Sequence, residues 1–222
     1  MATGTRDLTF LLAEPERRLL RAIAARLPRR TTSNHLTLLG VLAAVAAGAA
    51  YALTALDVRW LWAASGALAL NWFGDSLDGT LARVRHAERP RYGYYLDHLV
   101  DAFSTAVVGV GIGLSPFVEL EVALLLVVAY LALSINVYLE TAVFGVFRLA
   151  YGRIGPTEAR ILLIVLNTLL LVSAPQGGGT TPAVLLTNAV FLVLVGAMGI
   201  TLLARFIANL QQLARLEPLE RP

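Results

Sequence analysis

An all-α integral membrane protein, with six transmembrane helices behind an N-terminal amphipathic interfacial helix, is the fold class this sequence predicts. Hydrophobic residues make up 57% of the 222 and charged residues only 15%, whereas soluble domains carry about a quarter charged. Mean hydropathy is +0.69. Apolar runs of about 20 residues, enough to cross a bilayer, recur along the chain between short polar or Gly/Pro-bearing links.

The runs fall at 36–56, 60–82, 93–114, 120–147, 159–174 and 183–207, the fifth being the shortest. The links include Leu56-Asp57-Val58-Arg59, Ser115-Pro116, Gly152 to Pro156 and Gly177 to Pro182. One membrane domain, 35–208, is expected between an N-terminal cytoplasmic arm (1–34) and a C-terminal tail (209–222). In the arm, Leu19, Leu20, Ile23 and Leu27 recur at helical spacing, with Arg17, Arg18, Arg21 and Arg26 on the rest of the turn. That pattern predicts an amphipathic helix lying on the cytoplasmic leaflet and favouring anionic lipid. A helix packed on the bundle is the alternative. Pro28 should end it, and Thr31, Thr32, Ser33 and Asn34 supply capping groups for span one.

All 18 basic residues are Arg. Seventeen lie in the arm, in the second and fourth links, at the start of span five or at the C-terminal end, and Arg59 alone lies on the other side. The positive-inside rule then places both termini in the cytoplasm, which an even number of spans allows. The absence of Cys excludes disulfides and thiolate metal sites. No signal peptide is expected, since the N-terminus lacks a short apolar stretch before a small-residue cleavage site. No nucleic-acid partner is expected.

The stretch from Asp75 to Asp101 carries four of the six Asp in the chain. Carboxylates in apolar surroundings are costly without a partner. No Lys is available, and one Arg cannot neutralise four acids, so divalent metal is the cheapest partner. On a helix Asp75, Asp78, Gly79, Ala82 and Arg83 share one face. Asp97 and Asp101, with Gly93 a turn earlier, form a stripe on the next helix. The short link predicts antiparallel neighbours whose aspartates meet at the cytoplasmic end. Four carboxylates can hold two Mg²⁺ or Mn²⁺ ions, which suits in-line displacement at phosphorus. Gly79, Ala82 and Gly93 leave room for a bulky ligand. Arg83 offers a planar fork for phosphate. Intramembrane acids also occur in transporters, although these usually spread them through the membrane depth.

D-x2-D-G-x2-A-R, a spacer, then G-x3-D-x3-D resembles the signature of the CDP-alcohol phosphotransferase family. Asp75, Asp78, Gly79, Ala82, Arg83, Gly93, Asp97 and Asp101 match it position by position within 27 residues. The spacer from Arg83 to Gly93 is one residue longer than the common pattern and lies in a polar link. Asn34, Leu36, Thr37 and Gly40 are similar to the family's start of span one. The resemblance implies that a CDP-linked alcohol gives its substituted phosphate to a second alcohol and that CMP leaves. It implies two metal ions on Asp75, Asp78, Asp97 and Asp101. It implies Gly79 and Arg83, with Asp75 and Asp78 nearby, at the CDP moiety, together with Ala82 and Gly93, and Asp101 as general base. It also implies membrane lipids as surroundings, a lipid or polar alcohol as acceptor, and a homodimer. CDP-diacylglycerol and a CDP-linked headgroup such as CDP-ethanolamine or CDP-choline both remain open as donor. The Asp97-His98 pair resembles the choline/ethanolamine branch, and a packing role for His98 is the alternative.

Outside the motif, Thr157 can cap span five and Glu158 sits in its first turn; alternatively Glu158 and Arg160 face the cavity. Arg148, Arg153 and Arg205 either converge on a phosphorylated acceptor or flank the spans. Glu140 should pair with Arg148 or Arg160, or line the cavity. Trp60, Trp62, Tyr92, Tyr94 and Tyr95 read as interfacial aromatics, and His35 and His86 as residues at the interface. Two other classes compete. Prenyl transfer also uses Asp-rich helices, but its D-D-x-x-D and N-D-x-x-D patterns do not occur here. A non-catalytic transporter or scaffold is the third.

Overall fold

A computed structural model describes residues 13–145, 155–173 and 182–218. Arg6, Arg148, Arg153 and Arg221 lie outside the described residues. Seven helices occur among those described, and no strand: α1 (Ala13–Arg26), α2 (Ser33–Leu53), α3 (Trp60–Val84), α4 (Pro90–Gly113), α5 (Leu120–Phe144), α6 (Pro156–Ser173) and α7 (Pro182–Leu216). Each expected span corresponds to one helix of α2 to α7. Four helices among the described residues are long and apolar enough to cross a membrane: α2, α4, α5, and α7 over Val184–Leu216. The six expected spans therefore reduce to four by this measure. α3 carries Asp75, Asp78 and Arg83 in its second half, and α6 is only 18 residues with Glu158 and Arg160 near its start.

Local chemistry explains the boundaries. Thr32 caps α2: its Oγ1 accepts from the His35 amide, and His35 Nδ1 accepts from the Thr32 amide, both at 3.3 Å. This is a capping box with His in place of the usual Glu. Pro90 opens α4, where its missing N–H costs nothing. Gly145 ends α5 in the left-handed region, at φ 67°. α7 runs on to Leu216, past the expected tail boundary at 208, because no Gly or Pro interrupts it between Gly199 and Pro218.

α2 is the hub. Gly40, Ala43, Ala44, Ala47, Gly48 and Ala50 are buried along it, and such small residues let backbones approach closely. A Cβ built on Gly74 would lie 2.6 Å from the Gly40 nitrogen, so α2 and α3 cross there with no room for a methyl. A Cβ on Gly111 would likewise collide with the Gly48 backbone, where α4 crosses α2. Contrary to the sequence expectation, α3 and α4 pack chiefly on α2 rather than as a tight pair.

α1 lays Leu20 and Ala24 into a core with Leu36, Leu77 and Leu81, with Ile23 and Leu27 against it. Its apolar face is thus taken up by protein, although Leu19 stays exposed. Arg85 donates to the Leu27, Pro28 and Thr31 carbonyls beyond the end of α1, tying the α1–α2 link to the end of α3. On the far half of the bundle, the Tyr51 hydroxyl donates to Asn167 Oδ1 at 3.1 Å, and Asn167 Nδ2 donates to Ser65 Oγ at 3.0 Å. These bonds tie α6 to α2 and α3. Large exposed apolar side chains such as Leu42, Val128, Leu139, Leu186 and Val193 cover the outer helix faces, as lipid contact requires.

The Gly40–Gly74 crossing gives a direct test. Gly74→Ala should destabilise by about 1–3 kcal/mol through overpacking. Gly66→Ala, where an added Cβ meets nothing within 4 Å, should be neutral or slightly stabilising. Thermal unfolding in detergent distinguishes the two.

Candidate active site

Asp75 follows Gly74 directly, so the tight α2–α3 crossing fixes where its side chain starts. Asp97 and Asp101 sit one turn apart on α4, which the Gly48–Gly111 crossing fixes against α2. Their carboxylates converge: one oxygen each from Asp75, Asp97 and Asp101 lies within 4.8 Å of the others. Three hard anionic oxygens from two helices suit Mg²⁺ or Mn²⁺, with water and substrate completing the shell.

Asp78 lies outside this group. Its Oδ2 accepts from Thr37 Oγ1 on α2 and its Oδ1 from the Gly79 amide, both at 2.5 Å. Arg83 is exposed and donates to Thr80 Oγ1 at 3.0 Å. A Cβ on Gly79 would touch the Arg83 guanidinium at 3.4 Å. Ala82 is half-buried beside it. Gly93 is exposed, and a Cβ there would meet nothing within 4 Å.

The cation at the carboxylates comes from α6. Arg160 Nη2 donates to Asp75 Oδ2 at 2.7 Å, and its Nε donates to Asn71 Oδ1 at 2.9 Å. Asn71 in turn donates to the Gly40 carbonyl at 2.9 Å. Arg160 Nη1 is buried and makes no hydrogen bond among the described residues.

Residues 30–203 match the CDP-alcohol phosphatidyltransferase family. The chain belongs to this family. No curated protein matches the sequence. Membership in the CDP-alcohol phosphatidyltransferase family carries transferase activity, a place in phospholipid biosynthesis, a membrane location and the use of divalent metal. The Asp75–Asp97–Asp101 group gives such a metal a donor set of the right kind.

Other sequence expectations land differently. Glu140 does not pair with Arg160, which is on Asp75, and Arg148 lies outside the described residues. Glu140 is buried and takes Arg205 as its ion pair, with Arg205 Nε at 2.9 Å and Nη2 also bonded. Asn209 and Asn136 donate to the same carboxylate at 2.6 and 2.5 Å. Arg205 therefore clamps α7 to α5. Glu158 Oε2 accepts from the Gly155 amide at 2.9 Å, so Glu158 rather than Thr157 closes the start of α6. His98 Nδ1 meets the Tyr94 carbonyl at 2.7 Å, and its ring packs between Tyr94 and Tyr138 at 4.1 and 4.6 Å. That is helix packing one residue from Asp97. Tyr92 carries the Arg89 guanidinium 3.5 Å above its ring.

Sequence reasoning passed over Asn71 and Glu16, gave Thr157 only a capping role, and gave Thr37 no role of its own. A signal existed for Asn71, a polar residue one turn before Asp75 in an apolar run.

Losing one partner of a buried ion pair strands the other. Arg205→Met should cost about 2–3 kcal/mol on this ground. Arg205→Met/Glu140→Met should recover part of that loss. Thermal unfolding of the two variants beside wild type measures both.

Proposed function

We propose that the protein moves the substituted phosphate of a CDP-alcohol onto an acceptor alcohol with release of CMP. The single observation that carries this reading is the convergence of the Asp75, Asp97 and Asp101 oxygens from two helices, in a chain of this family. The donor is CDP-diacylglycerol or a CDP-linked headgroup such as CDP-ethanolamine or CDP-choline.

Asp75, Asp78, Asp97 and Asp101 are the proposed metal ligands. Two Mg²⁺ or Mn²⁺ ions, when bound, would supply positive charge against the attacking and leaving oxygens at phosphorus. The acceptor hydroxyl attacks phosphorus, the bond from phosphorus to the CMP oxygen breaks, and the hydroxyl proton passes to Asp101. Asp101 suits that role because its carboxylate stands at the group while Arg160 engages Asp75 instead. Gly79, Ala82, Arg83 and Gly93 receive the CDP moiety. The open space at Gly93 and the exposed Arg83 fork favour this. Arg160 Nη1, buried with no partner among the described residues, is a donor suited to a phosphate oxygen.

The same proposal takes α2 to α7 as six spans of one domain, 35–208, with α1 at the leaflet surface. Both termini and the carboxylates then lie on the cytoplasmic side of the cell membrane, as the Arg distribution supports. The functional unit is proposed as a homodimer on family grounds alone.

Purified protein given CDP-diacylglycerol or CDP-ethanolamine, Mn²⁺ and a panel of alcohols should release CMP with one donor and acceptor pair. Asp101→Asn should lower kcat by about 100-fold or more while retaining Mn²⁺. Unchanged CMP release in that variant would sink the base role, and no release from any pair by wild type would sink the transfer reading.

A further inference from the structure

One oxygen of Glu16, on α1, gathers hydrogen bonds from two other helices. Glu16 Oε1 accepts from Trp72 Nε1 at 2.6 Å and from Ser76 Oγ at 3.3 Å, both on α3. It also accepts from Thr157 Oγ1 at 2.8 Å, in the first turn of α6. Trp72, Ser76 and Thr157 have no reason in common except their neighbours. Ser76 follows Asp75 in sequence. Thr157 stands three residues before Arg160, one turn earlier on the same face. Arg160 and Asp75 are the pair that meets at 2.7 Å. The Glu16 carboxylate therefore bridges α3 and α6 one step from the contact that brings the α6 cation to the carboxylate group.

The surroundings favour a fixed bridge. Glu16 is half-buried, and α1 is held beyond its other end by Arg85 on the Leu27, Pro28 and Thr31 carbonyls. Leu20 and Ala24 anchor its middle. Glu14, one turn fraction away, spends itself on Arg17 and Arg18 in the open. A charged acceptor with three donors is also among the stronger arrangements a side chain can make.

We propose that Glu16 is a positioning residue: by joining Ser76 to Thr157 it sets α6 so that Arg160 engages Asp75. The proposal rests on the reading of Asp75 as a metal ligand. Its consequence is that Arg160 competes with the cation for Asp75, and that Glu16 sets how strongly.

Mn²⁺ binding to the full-length protein in nanodiscs, followed by electron paramagnetic resonance, reads this without turnover. Arg160→Met should tighten Mn²⁺ by about two- to fivefold, because a neighbouring positive charge is gone. Glu16→Ala and Thr157→Val should shift binding in the same direction. Neither should add to the shift in the Arg160→Met background, since both act through Arg160. Glu16→Gln keeps an acceptor oxygen and should bind as wild type does, and so should Glu14→Ala. The proposal is overturned if Glu16→Ala leaves Mn²⁺ affinity unchanged or weakens it. It is equally overturned if Glu16→Ala acts just as strongly without Arg160, or if Glu16→Gln follows Glu16→Ala, which would make the effect one of charge alone. Wild-type protein that binds no Mn²⁺ overturns it together with the metal reading. Intact coupling in protein that releases no CMP overturns only the transfer reading.

Discussion

Acids inside an apolar bundle must be held by something, and that requirement organises this structure. Four buried or half-buried carboxylates each have a particular answer. Asp75 has Arg160. Asp78 has the Thr37 hydroxyl and the Gly79 amide. Glu140 has Arg205 and two Asn side chains. Glu16 has three donors of its own. These contacts join α3 to α6, α3 to α2, α5 to α7, and α1 to both α3 and α6. The polar groups thus supply joints between helices whose apolar faces would slide freely in lipid, where hydrophobic burial drives little association.

Those joints need backbones in register, which α2 provides. Its Gly and Ala stripe brings α3 and α4 close to it at two glycine crossings. Gly40 serves the site twice, by leaving space for Gly74 and by offering its carbonyl to Asn71. Asn71 then orients Arg160 toward Asp75. A side chain at Gly40 or Gly74 would therefore disturb packing and electrostatics together.

Much of this was legible in the chain itself. Apolar run length located all six long helices, and the Asp75–Asp101 spacing pointed to four carboxylates, of which Asp75, Asp97 and Asp101 converge and Asp78 does not. The polar Thr31–Asn34 stretch marked the start of α2, although the part played by His35 was not visible from residue type. What escaped were partners far apart in sequence. Glu140 meets Arg205 across 65 positions and Glu16 meets Thr157 across 141, and no local periodicity encodes such pairings. Connectivity also misled. A short link suggested that α3 and α4 were paired, whereas small residues in α2 make it the better neighbour for both. The amphipathic pattern of α1 told that one face is apolar but not that protein, through Leu20 and Ala24, would cover it.

α4 carries Asp97 and Asp101 among Tyr95, Leu99 and Phe103, all three exposed on the same helix. A helix that meets hydrocarbon on one side and gathers carboxylates on another places the chemistry at the edge of a two-dimensional fluid. For a substrate dissolved in that fluid, encounter depends on molecules per unit area of membrane rather than per volume of water. The composition of the surrounding leaflet then acts as the substrate concentration, so the same protein would run at different rates in membranes that differ only in their lipid mixture.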